Sequence, residues 1–189
     1  MRVLTSMLFG LGLVSGCATT GAAGAGVRPT SAFTAADAHL FEDGVDLVGN
    51  PEDLSGRWAE DWSNEMRDRV ARSDFVARVT VTTLRSDIDP QQRATHWLVA
   101  NVGEVLKGKL PTKELAFASS DQSAGYGAID RERDNVLHRP MLVLGKWAEL
   151  DNGEVRPHWH MALASEQVVA VVRQLLTGSP RAPAARANP

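Results

Sequence analysis

The spacing of apolar residues changes several times along this chain, and each change marks a predicted element. Leu54, Trp58, Trp62, Met66 and Val70 recur every four residues, a helical stripe that drifts slowly round its axis. Asn50 can cap that helix, Pro51 suits its first position, and Glu52 and Asp53 favour the positive end of its dipole. Arg67, Arg69 and Arg72 stand at the far end, where cations belong. Gly56 weakens the start, so the regular helix is expected to begin one turn later.

After Ser73 the period falls to two. In 74–84, Phe75, Ala77, Val79 and Val81 share one face while Arg78, Thr80 and Thr82 share the other, a half-buried strand. A polar turn with Pro90 leads to a second strand over 95–106. It has Trp97 and Val99 on one side and Leu98, Ala100 and Val102 on the other. Lys107-Gly108-Lys109 and Pro111 end it, and 114–119 is a short third strand. The β-rich runs 141–150 and 154–163 are joined by Asp151-Asn152-Gly153, a strong hairpin signal. Ser165 then caps a helix whose Val168, Val169, Val171, Val172, Leu175 and Leu176 form a broad apolar face, closed by Gly178.

Three stretches lack such order. Residues 18–30 are mostly Ala, Gly and Thr and read as a tether. Residues 31–50 scatter Phe33, Leu40, Phe41, Val45, Leu47 and Val48 among acids and glycines, which suggests a strap packed irregularly on the domain. Residues 120–139 read as a long polar loop, of the kind that is functional or disordered. The tail 179–189, rich in Pro, Ala and Arg, is expected to be disordered. This leaves 51–178 as one domain of the α+β class. Its core is a small, mostly antiparallel sheet or partly open barrel of about five strands, flanked by an N-terminal and a C-terminal helix.

The first seventeen residues have a different logic. Arg2 precedes an apolar run (Val3, Leu4, Met7, Leu8, Phe9, Leu11, Leu13, Val14) too short to span a bilayer comfortably, which reads as a signal peptide over 1–16. Val14-Ser15-Gly16-Cys17 resembles the lipobox of bacterial lipoproteins, and Cys17 is the single cysteine. The resemblance implies cleavage before Cys17, diacylglycerol on its sulfur and acylation of the new amino group. One acyl chain holds a protein only marginally, at about 0.8 kcal/mol per buried methylene, whereas three are effectively permanent. Ala18 stands where such lipoproteins commonly carry an inner-membrane retention aspartate, so the resemblance implies the periplasmic face of the outer membrane, or alternatively the cell surface. A strand, a strand ending Val105-Leu106-Lys107-Gly108, and a shorter strand resemble bacterial domains of the OB or netrin-like type over 74–108. From Trp62 through His158-Trp159-His160 to Ser165 the chain is similar to uncharacterised lipoproteins of Gram-negative bacteria, a likeness that brings no activity with it.

Charge narrows the choice of partners. The chain carries a formal −3, and removing Arg2 with the signal makes it −4, against the basic face that nucleic-acid binding needs. For chemistry, His158 and His160 stand two apart on a strand, so both imidazoles can face one ion, with His96 or His138 as a third ligand and zinc as the candidate metal. Tyr126 between two glycines is a candidate partner contact, as are Trp58 and Trp62 if the helical stripe is not simply the face that docks on the core. Asp87-Ile88-Asp89 lacks the spacing of a calcium loop. No Gly-x-Ser-x-Gly, Gly-Lys-Ser/Thr, His-Glu-x-x-His or Cys-x-x-Cys motif is present. The resulting expectation is a lipid-anchored binding or scaffold module with no catalysis of its own, engaging the membrane through Cys17 and an envelope protein through its domain. The alternative is a metal-binding protein or metal-dependent enzyme built on the His-x-His pair.

Overall fold

A computed structural model describes residues 27–178. The signal peptide, Cys17, the first part of the tether and the tail over 179–189 lie outside the described residues. The elements run α1 (Ala35–Leu40), β1 (Gly44–Asp46), α2 (Arg57–Arg72), β2 (Phe75–Ile88), β3 (Ala94–Lys107), β4 (Glu114–Ser120), α3 (Tyr126–Arg131), α4 (Arg133–Val136), β5 (Pro140–Glu149), β6 (Val155–Leu163) and α5 (Glu166–Thr177). The six strands form one sheet in the order β1-β6-β5-β2-β3-β4. Every pairing is antiparallel except that of β1 with β6, which is parallel. The class is α+β, as the alternation of periods predicts, and the sheet curls into a partly open half-barrel.

The curl is visible in contacts that a flat sheet could not make. Strands β4 and β6 are separated by β5, β2 and β3, yet the Trp159 indole N–H donates to the Ala118 carbonyl at 3.1 Å. The Phe117 and Trp159 rings also meet, 5.4 Å apart. Register shifts in the β2–β3 ladder, of the kind that sharpen local twist, accompany this bend. Phe75, Ala77, Val79 and Val81 face the inside of the curl with Leu98, Phe117, Met141 and Trp159, and all are buried. The opposite face of the sheet (Val76, Leu142, Leu144, Ala162) is covered by Met66 and Val70 of α2 and Val168 and Val172 of α5. Strand β5 is buried on both sides, which its near-continuous apolar sequence requires. Each such side chain contributes about 1.5–3 kcal/mol of burial.

The predicted helices and strands stand close to their expected limits. Asn50 caps a single 3-10 turn over Pro51–Asp53, its Oδ1 accepting the Glu52 N–H at 3.2 Å, and α2 begins after Gly56. Because a four-residue step advances about 40° beyond a full turn, the stripe rotates out of the core. Trp62 is 9% exposed and Trp58, four residues earlier, 77%. The hairpin turns through Gly153 at φ 78°, and Ser165 and Gly178 cap α5.

Three expectations need correction. The sheet has six strands, not about five, because the strap supplies β1. The strap itself is regular rather than irregular. Phe41 is buried in it, and Asp37 of α1 accepts from the Thr34 N–H at 2.8 Å and from Arg72 Nε at 2.8 Å. Burial would raise the Asp37 carboxyl, but the Arg72 and Thr34 bonds hold it down at about 2. The 120–139 segment is not a long loop, since α3 and α4 fold within it and bury Ile129 and Val136 against the inside of the curl. No described helix is long and apolar enough to cross a membrane.

Candidate functional site

Alternation along β6 sends Trp159 into the barrel interior and His158 and His160 to the opposite face. Parallel pairing of Gly44 with His160 lays the strap beside them, so the two residues preceding β1, Glu42 and Asp43, fall next to the imidazoles. Asp43 sits in the left-handed region at φ 55°, a conformation Asp tolerates better than most residues. There its N–H donates to the Trp159 carbonyl at 2.9 Å, and its Oδ1 accepts the Trp159 N–H at 3.1 Å. Its Oδ2 lies 3.0 Å from His158 Nδ1. Glu42 Oε1 lies 3.2 Å from His160 Nδ1, and Glu42 Oε2 3.4 Å from the buried Arg69. Arg69 also pairs with Glu65 at 2.9 Å and donates to the Leu40 carbonyl at 2.8 Å.

Two adjacent carboxylates thus orient two imidazoles, and their protonation diverges. Burial pushes the Asp43 carboxyl up, against the opposing bond from His158. Burial acts on Glu42 in the same sense, but the His160 hydrogen bond and the charges of His160 and Arg69 outweigh it and leave the carboxyl below its ordinary range. Phe33 stacks on His158 at 4.4 Å, closing one side of that ring.

The two rings line different cavities. His158 borders a pocket of about 340 Å³ at the seam where β4 approaches β6, with Trp97, Ala118, Ser120, Ser123 and Pro157 among its walls. His160 borders a pocket of about 510 Å³ between α2, β1 and α3, which Trp58 and Trp62 also line. His160 is buried, and its Nε2 has no hydrogen-bond partner among the described residues.

The other expected site residues lie apart. His96 is buried on β3, where its Nδ1 meets Ser86 Oγ at 2.8 Å and its ring stacks on Tyr126 at 4.0 Å. Burial lowers its pKa. Tyr126 is therefore half-buried against a neighbour and not the free aromatic of an open loop. His138 is exposed at φ 61°, and its backbone N–H donates to the Val81 carbonyl at 2.8 Å. The four histidines are not gathered into one group. Among the described residues no three His, Cys, Asp or Glu side chains are placed to hold a metal ion together. Trp62 donates its indole N–H to Asp46 at 2.7 Å, while Trp58 stands free of the core beside it. Sequence reasoning missed Glu42 and Asp43. The signal that could have found them is the alternating run Gly44-Val45-Asp46-Leu47-Val48 just behind them, which reads as a short strand.

Comparison with known protein families, curated proteins and solved structures finds no match for this chain.

Proposed function

We propose that this chain is a lipid-anchored binding or scaffold module of the outer membrane, facing the periplasm, with no catalysis of its own. Cys17 and the sequence before it support the anchor. One observation in the domain supports binding. Trp58, a large apolar residue 77% exposed, stands on the rim of a 510 Å³ pocket that also contains Trp62 and His160. Exposed tryptophans beside a concavity are the residue type that carries binding energy at interfaces. In cell fractionation, Cys17→Ala is expected to move the protein from the membrane to the soluble fraction with unchanged circular dichroism. Affinity purification of the wild type from solubilised envelope is expected to recover a specific component that is lost with Trp58→Ala. A Cys17→Ala protein that stays in the membrane fraction would refute the anchor. A wild type recovered alone, or with the same companions as Trp58→Ala, would refute binding at this face.

A second reading rests on a separate observation. Both histidine Nδ1 atoms face carboxylates, the arrangement that orients metal-ligating imidazoles, and this supports zinc binding through the other ring nitrogens. Stoichiometric zinc in the purified protein, lost in His158→Ala, is what it predicts; a folded wild type without bound metal after zinc loading would eliminate it.

A further inference from the structure

A buried cation lines a different cavity, a pocket of about 520 Å³ that the strap forms with the end of α2 and the residues leading into β2. Lys146 on β5 is 4% exposed, and lysines are almost never buried so far without a partner of opposite charge. Its Nζ donates to Ser31 Oγ at 2.7 Å, which uses one of three N–H groups. Among the described residues no carboxylate is ion-paired with it. A second ammonium lies close by. Lys107 lines the same pocket and donates to the Val70 and Ala71 carbonyls at 2.7 and 3.1 Å, with Ser73 Oγ at 3.5 Å. Burial lowers the Lys107 pKa; Asp74 opposes this and the Lys146 charge adds to it, so the two ammonium groups repel each other across the pocket.

The carboxylates of the wall do not cancel the cations. Arg72, Lys107 and Lys146 stand against Asp37 and Asp74. Arg72 is matched by Asp37 at 2.8 Å. Asp74 is left against both lysines, and its oxygens already accept from the Thr30 hydroxyl and from the Trp147 N–H, the latter at 2.8 Å. The pocket therefore keeps one positive charge beyond its negative ones, and the more deeply placed lysine is the one without a counter-charge. An uncompensated buried charge is costly, and an anion beside Lys146 would remove that cost.

We infer that this pocket binds a phosphate group that keeps one P–OH, held by Lys146. The two remaining N–H groups of Lys146 can donate to phosphate oxygens. So can the Ser31 hydroxyl, which accepts from Lys146 and has its own proton to give. Lys107 spends its N–H groups on the end of α2 and contributes its charge. Asp74 sets the choice among anions, because its remaining lone pairs can accept from a P–OH. Sulfate and a carboxylate have no proton to offer and would meet Asp74 as like charge. A carboxylate also lacks its best partner, a free guanidinium fork, since Arg72 is engaged by Asp37. The site lies apart from the Trp58 face, and the inference goes beyond the binding proposed there and does not depend on it.

The test is calorimetric titration of the full-length protein, purified in detergent, at about pH 5.5, where a phosphate ester with a second pKa of about 6 still keeps its P–OH. Inorganic phosphate and glycerol 3-phosphate are titrated in parallel, which separates the free ion from an ester of a larger molecule as the source of the group. Saturable binding of one or both is expected, with sulfate at least about tenfold weaker. Lys146→Met, which replaces the ammonium by an apolar chain of similar shape, is expected to abolish binding. Asp74→Asn is expected to bring phosphate and sulfate to similar affinities. In the wild type the Cε carbon resonance of Lys146 should move with added phosphate and saturate with the heat, a readout that needs no variant to fold. The inference is overturned by no saturable binding of either phosphate compound up to about 10 mM, or by sulfate binding as tightly as phosphate. It is equally overturned by wild-type affinity in a folded Lys146→Met, by full phosphate selectivity in Asp74→Asn, or by a Lys146 resonance that stays fixed while heat is released.

Discussion

Trp159→Ala is expected to destabilise the domain by about 3–5 kcal/mol, the range for removing a fully buried tryptophan. Whole domains of this size are held by about 5–15 kcal/mol, so the variant gives up a large share of the total stability. The magnitude has two sources. Trp159 is completely buried inside the curl and packs on Phe117, so its removal leaves a cavity where β6 faces β4. Its indole N–H also donates to the Ala118 carbonyl, a bond between strands that are not neighbours in the sheet. Trp159→Phe separates the two by keeping most of the volume and deleting the donor. It is expected to cost about 1–3 kcal/mol and to loosen the seam pocket beside His158. Urea unfolding measures both variants, and amide exchange at Ala118 and its neighbours reports the seam. A Trp159→Ala protein within about 1 kcal/mol of wild type would mean that the curl is held by other contacts.

Gly125→Ala should act on the site more selectively. Gly125 and Gly44 cross backbone to backbone: a Cβ on Gly44 would lie 2.6 Å from Gly125 Cα, and a Cβ on Gly125 would overlap the Gly44 backbone. Gly125 has an ordinary φ of −79°, so the requirement is space and not conformational freedom. An added methyl must push β1 away from α3 and strain the 3.2 Å bond from the Gly125 N–H to the Glu42 carbonyl. Overpacking of this kind costs about 1–3 kcal/mol, and more where only backbone can yield. Glu42 and Asp43 move with β1, so both imidazoles should lose their carboxylate partners together. Nitrogen chemical shifts of His158 and His160 read that loss directly. Gly127→Ala, two residues on, is the control. Its nearest new neighbour is the flexible end of Arg131 at 3.4 Å, and alanine suits the helix better, so stability should hold or rise slightly. A Gly125→Ala protein with wild-type stability and unchanged histidine shifts would show that the crossing does not position the pair.

Much of this architecture was legible in the order of residues. The Met66 and Val70 face, the β2 alternation, the hairpin turn at Gly153 and the capped α5 all rest on short-range patterns, and each was found where expected. The strap and the 120–139 segment were misread for one reason. β1 is three residues long and becomes a strand only because β6 offers it an edge more than a hundred residues away. α3 and α4 are six and four residues long, too short to be stable alone, and they fold because Ile129 and Val136 fill the open end of the curl.

The candidate site divides in the same way. Composition and periodicity alone determined that His158 and His160 share a face with Trp159 opposite, since a strand alternates whatever surrounds it. They also determined the class of the domain and the limits of α2 and α5. Only the tertiary structure decided that Glu42 and Asp43 would meet those histidines, across 118 and 115 residues of chain. It likewise decided that the two rings would open onto separate pockets and that Trp58 would be left in solvent beside one of them. Local sequence sets which way each side chain points along its own element. Which elements become neighbours depends on burying the faces of the whole curled sheet at once, and that sum is not written in any one stretch.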